Sequence, residues 1–179
     1  PSVNARPDES IAFVSLGTGT GLNKSEITQT VLDIIEPRFN KIYLSTGLTF
    51  NISELKIPMQ TVVRPLFNAM PDDVGYLFCH GGYGAIHSGL LSKIPTFVLP
   101  FQIEHFSNGL RLEIIGGGLQ FGFFDEYSFE GIRQRINLDW ARFASAIHQP
   151  CCDFAENFNN EVVDDNHLYL VLNDEIAKL

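Results

Sequence analysis

The segment Val74 to Cys79 (VGYLFC) is an uncharged apolar run that leads directly into His80-Gly81-Gly82-Tyr83-Gly84. A short run with no polar face reads as a strand buried on both sides, the mark of a parallel sheet covered by helices. The glycines after it signal a tight turn, because glycine alone enters the left-handed region without steric cost. This pairing constrains the chain more than any other feature. A strand buried on both faces needs a helix to carry the chain back over the sheet.

The rest of the chain repeats that plan. Ile11 to Leu16 (IAFVSL) reads as a buried strand ending in the loop Gly17-Thr18-Gly19-Thr20-Gly21. Ser25 offers a helix N-cap, and Ile27, Val31, Leu32, Ile34 and Ile35 recur at helical spacing until Pro37. Lys41 to Ser45 and Thr61 to Val63 read as strands, and Leu66 to Met70 as one helical turn stopped by Pro71. Helices are expected from Gly84 to Ser92 and from Glu104 to Ile115, with strands at Thr96 to Leu99 and Leu119 to Phe124. The tail from Ser128 reads as mostly helical, broken near Pro150. The expected fold is α/β, a doubly wound, Rossmann-like parallel sheet of about six strands with a helical C-terminal tail. In such sheets ligands bind at the carboxyl ends of strands near the switch point, and both glycine loops lie at such ends.

A chain of 179 residues with 45% hydrophobic content has enough apolar surface for one well-buried domain. Residues 1–10 (PSVNARPDES) are polar and proline-bearing and read as a linker, with 11–179 as a single domain. The opening on Pro1 without Met fits a piece of a larger protein. The net charge of −9 argues against non-specific binding to nucleic acid or anionic membranes, which needs basic patches. Residues 1–118 hold 8 Lys/Arg against 10 Asp/Glu, and residues 119–179 hold 4 against 11. The front part is therefore nearly neutral and free to accept an anion. No apolar run approaches the roughly 20 residues of a membrane span. Cys79, Cys151 and Cys152 form no CxxC pair, and adjacent cysteines rarely bridge each other, so a reducing compartment, the cytoplasm, is expected. Asp164-Asp165 and Asp174-Glu175 read as solvated surface rather than a calcium loop. No metal and no cofactor are expected.

The chemistry-bearing segment is Phe78-Cys79-His80-Gly81-Gly82-Tyr83-Gly84-Ala85-Ile86. Where a strand ends in glycines and a helix begins, the first helical N–H groups are unpaired and the helix dipole is positive, an arrangement suited to phosphate. His80 can donate to a phosphate oxygen there; the alternative is a structural histidine. His87 reads as a surface or packing residue. The segment is neither a GxGxxG fingerprint nor a Walker loop.

The stretch FCHGGYGAIHSGLLSKIPTFVLPFQIEHFSNGLRLEIIGGG resembles the donor-binding half of GT-B glycosyltransferases, the UDP-glycosyltransferase and MurG-like group. Their order of strand, His-Gly-Gly, helix, Gly-x-Pro strand, Pro, acidic-Gln pair, Asn and closing glycine is followed over residues 78–118, with weaker agreement at FVSLGTGTG and at Arg64-Pro65-Leu66. The resemblance implies that His80 and the amides of Gly82, Gly84 and Ala85 hold the donor diphosphate, with Thr18 closing from the opposite side. Glu104 and His105 would contact the donor sugar, Arg64 would face the base, and Asn108 would fix the loop. Glu104 also reads as an acid favoured by a helix N-terminus. Ser88 stands where the family carries a ribose-binding Glu, His105 replaces the Gln, and Lys93-Ile94-Pro95 stands in for Gly-x-Pro.

The implied function is a nucleotide-sugar domain, UDP-sugar by the resemblance, of an enzyme transferring a hexosyl group to an acceptor not identified by the sequence. An N-terminal acceptor-binding domain or a separate acceptor-binding chain would complete it. No catalytic residue is assigned in this half, and the isolated chain is expected to be inactive. The alternatives are a degenerate, non-catalytic nucleotide-binding or interaction module and the donor-binding subunit of a split glycosyltransferase.

Overall fold

The computed structural model describes residues 8–17, 24–48, 50–121, 131 and 134. Among these, six strands form one sheet: β1 (Asp8–Ser15), β2 (Lys41–Ser45), β3 (Thr61–Arg64), β4 (Val74–Cys79), β5 (Thr96–Val98) and β6 (Gly118–Gln120). All pairings are parallel, in the spatial order β3-β2-β1-β4-β5-β6. Three helices connect them, α1 (Lys24–Ile35), α2 (Tyr83–Leu91) and α3 (Ile103–Ile114), and a single 3-10 turn spans Ile52–Glu54. The expected α/β doubly wound sheet is the one observed. Its order reverses between β1 and β4, which makes the carboxyl ends of those two strands the switch point.

Burial explains the elements. All six residues of β4 are buried, as its uninterrupted apolar run demands. On one face of the sheet, Ala12, Val14, Ile42 and Leu44 lie in one core with Ile27, Val31, Leu32 and Ile35 of α1. That core continues into an aromatic stack. The Phe78 and Phe97 rings are 4.7 Å apart at 11°, and Phe97 and Phe121 are 5.9 Å apart at 13°. On the other face, Phe13, Leu77 and Val98 cluster with Ile86 and Leu90 of α2 and Leu112 of α3. Each such side chain contributes about 1.5–3 kcal/mol when fully buried. Close approach of α3 requires Gly109, where a Cβ would come within 2.8 Å of Gln120 Cβ and 2.9 Å of Val98 Cγ1.

Several boundaries differ from the sequence reading. β1 begins at Asp8, three residues ahead of the apolar run, because Asp8 pairs with Val74 before the register shifts to Ala12 opposite Tyr76. α1 begins at Lys24, so Ser25 lies inside the helix rather than at its cap. β3 runs one residue further, since Ser45 pairs with Arg64. β6 is shorter than expected: Phe121 has left the strand, although its N–H still donates to the Val98 carbonyl at 3.0 Å.

The largest correction concerns residues 66–70, which form no helical turn. Backbone pairing continues past β3, with Thr46 N–H on the Arg64 carbonyl (3.1 Å) and Gly47 N–H on the Pro65 carbonyl (2.9 Å), which draws the chain along the sheet. Phe67 then packs edge-on to Phe13 (5.2 Å) and Tyr43 (5.8 Å). A tertiary anchor on the open sheet face thus overrides a local apolar pattern. The tail from Ser128, with its proposed helices, Cys151 and Cys152, lies outside the described residues apart from positions 131 and 134. Among the described residues no helix is long and apolar enough to cross a membrane.

Candidate functional site

Beside the switch point lies a cavity of about 370 Å³. Its wall comprises the ends of β1 and β2 (Ser15, Gly17, Ser45), the segment 66–70, and the first turns of α2 with His80 and Gly82. The local sequence dictates this shape. Gly81 takes a left-handed φ of 94°, and a Cβ there would lie 2.7 Å from the His105 carbonyl oxygen. Gly82 then caps α2 with extended dihedrals, without any side-chain cap bond. Asn108 Nδ2 donates to the Gly81 carbonyl at 3.0 Å, so α3 fixes the loop, the role the resemblance implied for Asn108.

The backbone donors are unequal. The Ala85 N–H turns inward to the Gly82 carbonyl (3.1 Å), as does that of Ile86 (3.2 Å). The N–H groups of Gly82 and Gly84 have no partner among the described residues. Gly84 faces open space, since an added Cβ would meet nothing within 4 Å. Two such donors at the positive end of a helix, next to a cavity, are an arrangement suited to an anion.

His80 stands at the centre of this arrangement. A Cβ on Gly17 would lie 2.8 Å from its Cε1, and one on Gly82 would lie 2.4 Å from its Nε2, so the ring is inserted between two glycine backbones. Its Nδ1 is 3.5 Å from the Ser15 carbonyl, a long contact. The His105 ring meets it edge-on at 4.5 Å and 86°, and Phe101 lies beyond at 6.4 Å. Burial, with the neighbouring His105, pushes the His80 pKa down to about 4. His105 is also lowered by burial, and its Nδ1 is buried without a hydrogen-bond partner among the described residues.

The remaining predicted residues divide into two groups. Ser88 lines the cavity, but its Oγ donates to the Gly84 carbonyl at 2.8 Å. His105 touches His80 without lining the cavity, and Glu104 is exposed in the first turn of α3. Arg64 is exposed at the end of β3, its guanidinium 5.5 Å over the Phe67 ring and off the cavity wall. Thr18 lies outside the described residues. His87 is half-buried and stacks on Tyr83 at 5.7 Å and 8°, a packing role. Among the described residues no group of three or more His, Cys, Asp or Glu could hold a metal ion.

Sequence reasoning missed Lys24, Ser15 and Ser45. For the serines there was no signal beyond their place at strand ends. Lys24 had none either, since an N-cap at Ser25 puts it ahead of the helix, and only the structure shows it as a cation in the first turn.

No protein-family model matches the sequence, and no curated protein matches it. Solved structures do. The chain superposes on the glycotransferase of kitacinnamycin with a TM-score of 0.67 at 20% identity over 88% of this chain. CalG4, the calicheamicin glycosyltransferase, gives 0.68 at 18% over 87%, and the spinosyn forosaminyltransferase SpnP 0.58 at 16% over 86%. The chain spans 41%, 39% and 41% of these three proteins respectively. Its fold is therefore that of a domain of GT-B-type glycosyltransferases.

Proposed function

We propose that this chain is the donor-binding domain of a two-domain glycosyltransferase and takes a nucleotide sugar, a UDP-sugar, into the cavity at the α2 terminus. One observation carries the reading: the N–H groups of Gly82 and Gly84, unpaired among the described residues, stand beside His80 at the switch point, in a cavity large enough for a ligand. In this reading the two amides and the α2 dipole hold the diphosphate. Loss of the nucleotide during transfer builds negative charge on that diphosphate, and preorganised donors stabilise such charge without reorganising. Ser88 faces the ribose, Thr18 closes from the first loop, and His105 and Glu104 lie towards the sugar. Ala85, whose N–H is turned inward, contributes less than Gly82 and Gly84. The acceptor site and the base that deprotonates the acceptor come from an N-terminal domain or a separate chain, and the reaction takes place in the cytoplasm.

A non-catalytic nucleotide-binding module is the second reading. It is favoured by the absence of any acidic side chain among the described residues of the cavity wall, where a ribose-binding carboxylate would stand. Titration of the purified chain with UDP, followed by NMR, tests the shared claim. Shifts are expected at Gly81 to Ala85. Shifts confined to residues 119–179, or none at millimolar ligand, would remove both readings. Sugar transfer on adding an acceptor-binding domain separates the enzyme from the module.

A further inference from the structure

Among the described residues the cavity wall contains no charged side chain, although the ligand proposed for it is a polyanion. A cation stands directly behind that wall. Lys24 is only 7% exposed. Its Nζ donates to the Gly17 carbonyl at 2.6 Å and to the Thr46 carbonyl at 3.1 Å, and it lies 5.2 Å from the centroid of the Phe50 ring. Gly17 is itself part of the cavity wall and backs the His80 ring. One ammonium thus joins the loops after β1 and β2 and stands directly behind the cavity wall at Gly17, with the His80 ring between that wall and the N–H groups of Gly82 and Gly84.

Two costs show that this is more than a convenient tie. Taking an ammonium out of water is expensive even when it is hydrogen-bonded, and burial accordingly lowers the Lys24 pKa. Its place in the first turn of α1 adds repulsion from the helix dipole. Both costs fall on the charge rather than on the hydrogen bonds, so the charge is the feature that calls for a role.

We propose that Lys24 acts on the donor site through its charge, supplying from behind Gly17 the fixed positive charge that the described residues of the cavity wall lack. This rests on the reading that the cavity takes a nucleoside diphosphate. The charge attracts phosphate groups and is indifferent to a neutral nucleoside, whereas a purely mechanical tie would affect both alike.

The test titrates the 179-residue chain with UDP and with uridine, by NMR up to millimolar ligand. It compares wild type with Lys24→Gln, which keeps a donor and removes the charge, and with Lys24→Met and Lys24→Arg. Removing the charge should weaken UDP binding about tenfold in the Gln and Met variants, an effect equivalent to about 1.4 kcal/mol. Uridine binding should stay unchanged, and Arg should restore most of the loss. Should the Met variant fail to fold, the Gln variant alone decides. Equal loss for UDP and uridine, or no loss for either, overturns the proposal while leaving the donor site standing. Failure of the wild type to bind UDP removes the donor-site reading and this inference together.

Discussion

The imidazole of His80 is inserted between the backbones of Gly17 and Gly82, and that packing keeps it neutral. Its pKa falls from the ordinary value of 6.5 to about 4 on folding, so the unfolded chain binds a proton that the native chain refuses. The stabilisation is fully present above pH 6.5 and is lost as the pH falls towards 4. Urea midpoints at pH 7 and pH 4.5 should register a loss on the order of 2–3 kcal/mol that His80→Gln does not show. An equal slope in both proteins would mean that the ring titrates in solvent. Ser88 carries a second expectation. Its hydroxyl is spent on the Gly84 carbonyl in a turn-local bond, and no carboxylate stands among the described residues of the cavity wall. Ser88→Glu should tighten a ribonucleoside diphosphate by about 1–2 kcal/mol and leave its 2′-deoxy form unimproved, because only the former offers two vicinal hydroxyls. Weaker ribonucleotide binding in calorimetry would show that α2 does not present residue 88 to the ribose.

Among the elements, β2 and β4 coincide with their sequence reading because a strand buried on both faces leaves an unbroken apolar run between turn residues. The start of α2 was legible for a related reason: glycines that a close approach or a left-handed φ requires are visible one by one. Two things were not legible. Residues 66–70 are apolar enough for a helical turn, and only contacts with Phe13 and Tyr43, distant in sequence, settle the matter. Lys24 reads as a solvated charge, since nothing local announces that the loops after β1 and β2 converge on it. The C-terminus of α2 offers a test of its own. Ile94 N–H donates to the Gly89 carbonyl (2.9 Å) and Lys93 N–H to that of Leu90 (3.0 Å), a Schellman arrangement with Lys93 at φ 58°. A lysine is strained there and glycine is not. Lys93→Gly should raise stability by about 0.5–1 kcal/mol, visible as a higher thermal midpoint. A lower midpoint would show that contacts of the lysine side chain outweigh the backbone strain.

Taken as a whole, the sheet has two wings that grow in opposite directions from the β1–β4 seam, one of β1, β2 and β3 and the other of β4, β5 and β6. The loop after β1 belongs to the first wing and the start of α2 to the second. Between Gly17 and Gly82, the thickness of a single aromatic ring sets how far apart the two edges stand. His80 is thus a spacer as well as a polar group. An alanine in its place deletes the gap along with the nitrogen, letting the two edges settle towards each other. The gentler replacement is a flat ring of similar thickness, and the width of the slot is a property of the seam rather than of either wing.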